Sequence, residues 1–167
     1  MNRVATSLAV FGLLLIMAAA NYTIWQRQQV LDHGQPMLLD LRPVDPRSLM
    51  QGDYMVLRYA DALFPPSALR PGLPQRGAFV VALDEHNVAR YARLDDGSPL
   101  ADDEALLKYK QVEVRGRIRL GAESFFFEEG QADRYDNARY GVLHVDEAGN
   151  SVLVGLADAQ WQLLGGK

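Results

Sequence analysis

With 167 residues and a formal net charge of -4, the chain has the length of one ordinary domain plus an anchor, and no basic field able to neutralise a run of phosphates. Nucleic acid is thereby set aside as a partner. Zero cysteine excludes disulfides, thiolate nucleophiles and cysteine zinc sites, and leaves the compartment to be read from other features.

The N-terminus supplies it. Val4 to Trp25 carries no charge and Leu8 to Ala20 is almost wholly apolar. At ~1.5 Å per residue this stretch forms a helix of ~33 Å, enough for a hydrocarbon core of ~30 Å. Arg3 precedes it, and Asn21, Tyr22 and Trp25 follow as polar and interfacial aromatic residues. That order predicts a cytoplasmic N-terminus and a periplasmic or extracellular domain on the inner, cytoplasmic membrane. Ala18-Ala19-Ala20 has the small-x-small form of a cleavage site, so residues 1–25 read as a retained anchor, with a signal peptide as the alternative. Residues 26–35 are polar, end at Gly34 and read as a continuing helix or short stalk; residues 36–167 are the domain.

Strand signals then dominate. Met37, Leu39 and Leu41 alternate with Leu38 and Asp40; Phe79, Val81 and Leu83 do the same before a turn at Asp84 to Asn87, with Val88 to Leu94 returning. Between them Pro65, Pro66, Pro71 and Pro74 prevent regular structure and predict a mobile loop. Gln111 to Leu120 reads as one half-buried strand, with Val112, Val114, Ile118 and Leu120 on one face and Arg115, Arg117 and Arg119 on the other. Phe125 to Phe127 predicts a short buried strand, Gln131 to Tyr140 a brief helix with Glu129 and Asp133 at its N-terminal end, and Tyr140 to Val145 with Val152 to Leu156 a hairpin around Asp146 to Asn150. The fold class is mainly β, a β-rich α+β single domain behind one transmembrane helix.

Gly52-Asp53-Tyr54-Met55-Val56-Leu57-Arg58-Tyr59 is a turn that launches a strand, because Gly accepts unusual dihedrals and Asp bonds nearby amides. Leu57 and Tyr59 share one face, the core; Tyr54 has the opposite parity, and Tyr54 and Arg58 are free to line a cleft. The segment resembles, at every fixed position, the GDYxxLxY pattern of a family of bacterial membrane-anchored proteins of unknown function. The resemblance extends through Pro43 to Arg47, Glu129-Gly130 and Ala138-Arg139-Tyr140. It implies a partner in the bilayer, a multi-span membrane protein, and supplies no activity. Asp53, Tyr54, Arg58, Glu129, Arg139 and Tyr140 are the candidate binding residues, expected to form one site from two blocks.

A more distant similarity concerns type I signal peptidases. Aligning Gly52-Asp53 with the end of their SMxPTLxxGD motif sets Val44 on the nucleophilic Ser and Ser48 on the Thr. Ala89-Arg90-Tyr91-Ala92-Arg93-Leu94 resembles KRVIGL with Ala89 on the general-base Lys, and Gly130 to Gly141 resembles GDNRDNSxDSRxxG, keeping Arg139 and Gly141. Val44 has no hydroxyl and Ala89 no amine, so the likeness implies a signal-peptidase-like groove, able to hold an extended peptide by main-chain pairing, without the reaction. His33, His86 and His144 are scattered without ligand spacing, no phosphate-binding or nucleophile-elbow motif occurs, and neither cofactor nor metal is expected. The first functional reading is a non-catalytic, membrane-anchored interaction module. The alternative is a hydrolase using Asp53 with Glu129, or Ser48 as a relocated nucleophile beside Lys108 or Lys110.

Overall fold

The computed structural model describes residues 3–42, 54–66, 72–112 and 117–165. Among these residues one α-helix, α1 (Arg3–His33), precedes ten strands: β1 (Gln35–Asp40), β2 (Tyr54–Val56), β3 (Arg76–Leu83), β4 (Ala89–Leu94), β5 (Glu104–Val112), β6 (Arg117–Arg119), β7 (Ser124–Phe126), β8 (Tyr140–Val145), β9 (Ser151–Ala157) and β10 (Leu163–Leu164). They form two four-stranded antiparallel sheets, in the orders β1-β8-β9-β10 and β4-β3-β5-β6, and a small β2-β7 pair. The chain is therefore β-rich with one N-terminal apolar helix, as its alternating patterns predict.

The core lies where the sheets face each other. Met37, Leu39, Leu143 and Leu156 from one sheet meet Phe79, Val81 and Leu107 from the other, all almost fully buried. Period-two alternation puts these residues inward on β1, β5 and β8, so each strand contributes one apolar face. Phe79 stacks on Tyr109 with ring centroids 4.2 Å apart and meets Tyr91 edge-on at 5.6 Å. Leu38, of the opposite parity, is buried as well, because its main chain bridges to Val88 and its N–H donates to Asn87 O at 2.8 Å.

Several expectations change. Gln111 to Leu120 is not one strand but the end of β5 and all of β6, paired as Lys110 with Arg119, Gln111 with Ile118 and Val112 with Arg117. Each cross-strand pair joins an odd number to an even one, so inward parity flips at the hairpin. Val112 thus shares a face with Arg117, while Ile118 and Leu120 continue the face of Tyr109. β5 begins well before Gln111, at Glu104, where Leu107 and Tyr109 alternate with Lys108 and Lys110. Phe126 is 72% exposed rather than buried, since in β7 only Phe125 and its neighbour Phe127 turn toward the core.

The helix expected over 131–140 is a 3-10 turn, Ala132–Tyr135, with Asp133 in its first turn and no capping hydrogen bond from the side chain of Gln131 at its start. Instead Gln131 N–H closes on Glu128 O across a β-turn in which Gly130 takes φ +77°. In the Pro-rich segment Leu63, Pro65 and Leu73 are buried anchors, which argues against a freely mobile loop; residues 67–71 lie outside the described residues.

The polar stretch after Trp25 continues α1 without a break to His33. It is fastened to the domain: Val30 is buried, His144 Nδ1 lies 2.7 Å from Leu31 O, and Arg27 Nη1 donates to Ser151 O at 3.3 Å. Farther toward the N-terminus, Leu8, Phe11, Leu14, Ile16 and Ile24 are each more than half exposed. At ~25 cal/mol per Å² of apolar surface, such a helix is costly in water and suited to lipid. Residues Ser7–His33 meet the length and composition required of a membrane span.

Candidate functional site

The motif segment is bonded along both edges. On one side Tyr54, Met55 and Val56 pair with Phe126, Phe125 and Ser124; Leu57 N–H donates to Glu123 O at 2.8 Å, and the Tyr59 hydroxyl donates to Ala122 O. On the other side Tyr59 bridges to Leu41, Arg42 N–H donates to Arg58 O at 2.7 Å, and Ala60 N–H donates to Asp40 O at 2.8 Å. Residues 54–60 thus tie β7 to the end of β1.

This arrangement assigns the fixed positions their work. Leu57 and Tyr59 are 4% and 6% exposed and belong to the core, as their parity predicts. Burial first, and the Glu123 carboxylate second, push the Tyr59 phenol far above the ordinary range, so it acts as a neutral hydrogen-bond donor and not as a base. Glu123 itself accepts the N–H groups of Leu120 and Gly121, fixing the turn that presents Ala122 O to Tyr59. Tyr54 is half-buried against exposed Phe126 at a centroid distance of 5.7 Å, and Arg58 is exposed.

The two sequence blocks meet through β1. Leu41 N–H donates to Arg139 O at 2.9 Å while its other edge meets Tyr59, and a Cβ on Gly141 would stand 3.3 Å from the Tyr59 ring. Arg139 Nε lies 3.2 Å from Asp40 Oδ1, an ion-pair distance without hydrogen-bond alignment, and among the described residues that buried oxygen finds no hydrogen-bond partner. Asp40, which sequence reasoning did not single out, is therefore the polar residue at the junction. Tyr140 is half-buried on β8 opposite Asp40, whereas Glu129 is exposed on its turn. Gly52, Asp53, Val44 and Ser48 lie outside the described residues. Ala89 is buried at the start of β4, and Lys108 Nζ donates to Asn150 Oδ1 at 2.9 Å.

Double-mutant cycles measure how the junction is coupled. Tyr54→Ala with Phe126→Ala should show about 0.5 to 1.5 kcal/mol of interaction, as aromatic cross-strand pairs do. Asp40→Asn with Arg139→Gln should stay below about 1 kcal/mol, because the arginine is 42% exposed and the pair is screened. A reversed ranking in urea unfolding contradicts this geometry.

A second feature stands at the opposite end of β1. A groove of about 590 Å³ opens where α1 meets the domain, walled by Gln29, Val30 and His33 of the helix, Pro36 and Met37 of β1, and Leu106 of β5. Its far wall is the β8–β9 turn, in which Asp146 accepts Asn150 N–H at 2.8 Å, and Gly149 O accepts Lys108 N–H at 2.9 Å to seat the turn on β5. Glu104, also lining the groove, is held below the ordinary carboxylate range by the Ala101 N–H first and the Arg93 guanidinium, 3.1 Å away, second. The groove draws on five separated segments, so no local pattern announces it. Among the described residues no group of three His, Asp or Glu could hold a metal ion.

The chain matches no curated protein and no solved structure, so the signal-peptidase likeness rests on its motif register alone. The family described as GDYXXLXY protein matches residues 16–156, from within the apolar helix to the end of the terminal hairpin. Since that match covers most of the chain and the fixed Tyr54, Leu57 and Tyr59 build the junction just described, this chain belongs to the GDYXXLXY protein family.

Proposed function

We propose that this protein is a non-catalytic interaction module, anchored in the inner membrane by α1 with its domain on the periplasmic or extracellular side, that docks a segment of an integral membrane partner in the groove at the helix base. The observation carrying the reading is the position of that groove: one wall is the last turns of the same helix that is apolar enough to span. Those turns are fastened to the β-sheet by His144 and Arg27, which suits a rigid platform just outside the bilayer. The candidate catalytic groups within the described residues favour the same reading, since Glu129 is exposed on its turn and Lys108 donates to Asn150 Oδ1.

Two measurements test it. Intact mass of protein extracted from membranes should include the residues before Asn21; a species beginning at Asn21 sinks the anchor. With a photo-crosslinking amino acid in place of Leu100, which lines the groove and is 40% exposed, irradiated cells should yield an adduct with an integral membrane protein. The same label at exposed Asp133 should yield none. No adduct at Leu100, or adducts with soluble proteins only, overturns the docking role.

A further inference from the structure

We propose that the outer face of strands β3, β5 and β6 binds the anionic headgroups of the bilayer that α1 enters. The cross-strand register builds that face: Arg76 stands opposite Lys110, and Lys110 opposite Arg119, so three cations form one row across three strands. All three are exposed, and so is Arg117, whose partner Val112 shares the parity of Lys110. Like charges set directly opposite each other are unfavourable, and phosphates beside them relieve the repulsion. The ion pairs formed among the described residues engage Arg42, Arg93, Arg139 and His86, and none of this row. The carboxylates at the end of β4 are turned to their own loop, Asp95 onto the Gly97 N–H and Asp96 onto the Ser98 N–H and Arg93. A net charge of -4 does not reveal such a face, because it sums over carboxylates placed elsewhere.

The course of the chain carries the row toward lipid. Gln29, Val30 and His33 of α1 share the groove with Glu104 to Leu106 at the start of β5. Nearer the apolar run, Arg27 donates to Ser151 O, while the preceding Asn150 accepts Lys108 Nζ at 2.9 Å. The contacts step back along α1 as they step forward along β5, so this strand runs beside the helix toward the bilayer. Lys110 lies two residues, ~7 Å, beyond Lys108 in that direction. This takes the row toward the level of Tyr22 and Trp25, the stacked aromatic pair at the lipid boundary. A flat row on a sheet face matches phosphates held in a plane, which selects headgroups over a soluble anion. The inference rests on α1 spanning the membrane and not on any occupant of the groove.

The experiment uses the full chain, which has no cysteine of its own, with Pro74→Cys carrying a fluorophore at an exposed position two residues before Arg76. The labelled chain is placed in nanodiscs of phosphatidylcholine, with or without phosphatidylglycerol, containing a lipid whose headgroup bears a nitroxide quencher. Quenching should rise at least about twofold with phosphatidylglycerol, since each Lys or Arg near an anionic surface adds about fivefold to its attraction. The rise should shrink as sodium chloride shortens the screening length. Lys110→Gln with Arg119→Gln should remove most of it, as should Arg76→Gln with Arg117→Gln, whereas Arg134→Gln, exposed on the 3-10 turn, should leave it. Unchanged far-UV circular dichroism shows that each variant is folded. Quenching indifferent to lipid charge, or a rise that survives both double variants, overturns the proposal. So does an effect of inorganic phosphate beyond that of chloride at equal ionic strength, which would mark a free-anion site. A Glu-rich peptide that docks on this face in phosphatidylcholine discs, without a response to phosphatidylglycerol, would assign it to a protein partner instead. A chain recovered outside the discs removes the anchor and this role together; a disc-bound chain whose label ignores lipid charge removes this role alone.

Discussion

Tyr59→Ala is expected to lower the unfolding free energy of the full chain in detergent by about 3 to 5 kcal/mol, the range for truncating a buried aromatic side chain. Tyr59 is 6% exposed, its ring contacts the space above Gly141, and its hydroxyl holds Ala122 O on the turn that starts β7. Tyr59→Phe keeps the ring and removes only the donor, leaving a carbonyl whose partner is lost, so about 1 to 2 kcal/mol is expected. Urea titration followed by far-UV circular dichroism reads both midpoints. If the two variants lose equally little, the motif's last position is not the staple between β1 and β7, and its recurrence needs a surface explanation. Because the Tyr59 phenol is shifted far upward by burial, neither variant should alter the pH dependence of stability between neutral pH and the ordinary phenol range. A raised folded value means that the neutral form is stabilised, and that stability is complete below the unfolded value and is lost as pH rises from there through the folded one.

Gly34→Ala should destabilise by about 1 to 3 kcal/mol, and Gly34→Val by more, although Gly34 sits at a helix end where many residues are usually tolerated. The reason is close approach. A Cβ there would collide with Val30 O and stand 3.0 Å from Val145 N and 3.1 Å from His144 Cβ. Val30 O already accepts the Gly34 N–H at 3.0 Å, so the backbone has no room to retreat without lifting α1 off β8. Hydrogen exchange separates this from a general loss of stability. Amides around Leu31 to Gly34 and Val145 should lose protection first, while those of Phe79 to Val81 in the core keep theirs. Retained protection at the helix end in Gly34→Ala would mean that the helix is not rigidly seated, and the groove beside it would lose its fixed wall.

Local pattern carried much of this protein. An uncharged apolar run long enough to span dictates α1 whatever follows it, and period-two alternation places Met37, Leu39, Leu143 and Val145 inward because adjacent side chains on a strand cannot share a face. The same parity separated buried Leu57 and Tyr59 from Tyr54 and Arg58. Turn chemistry marked Asp84 to Asn87 and Asp146 to Asn150, where Asp side chains accept amides within their own loops.

What neighbours in sequence do not encode is which edges meet. Alternation through Gln111 to Leu120 fits one strand or a hairpin equally well, and only the pairing of β5 with β6 reverses the faces. Phe126 is apolar yet exposed because its parity opposes Phe125, whose side is claimed by Tyr135 at 5.0 Å. The junction of Asp40 with Arg139, and the groove between α1, β5 and the β8–β9 turn, join segments far apart along the chain. Local propensity fixes the direction in which each side chain points, but long-range burial decides what it points at, and so the tertiary structure alone brought the helix base, β5 and the β8–β9 turn together.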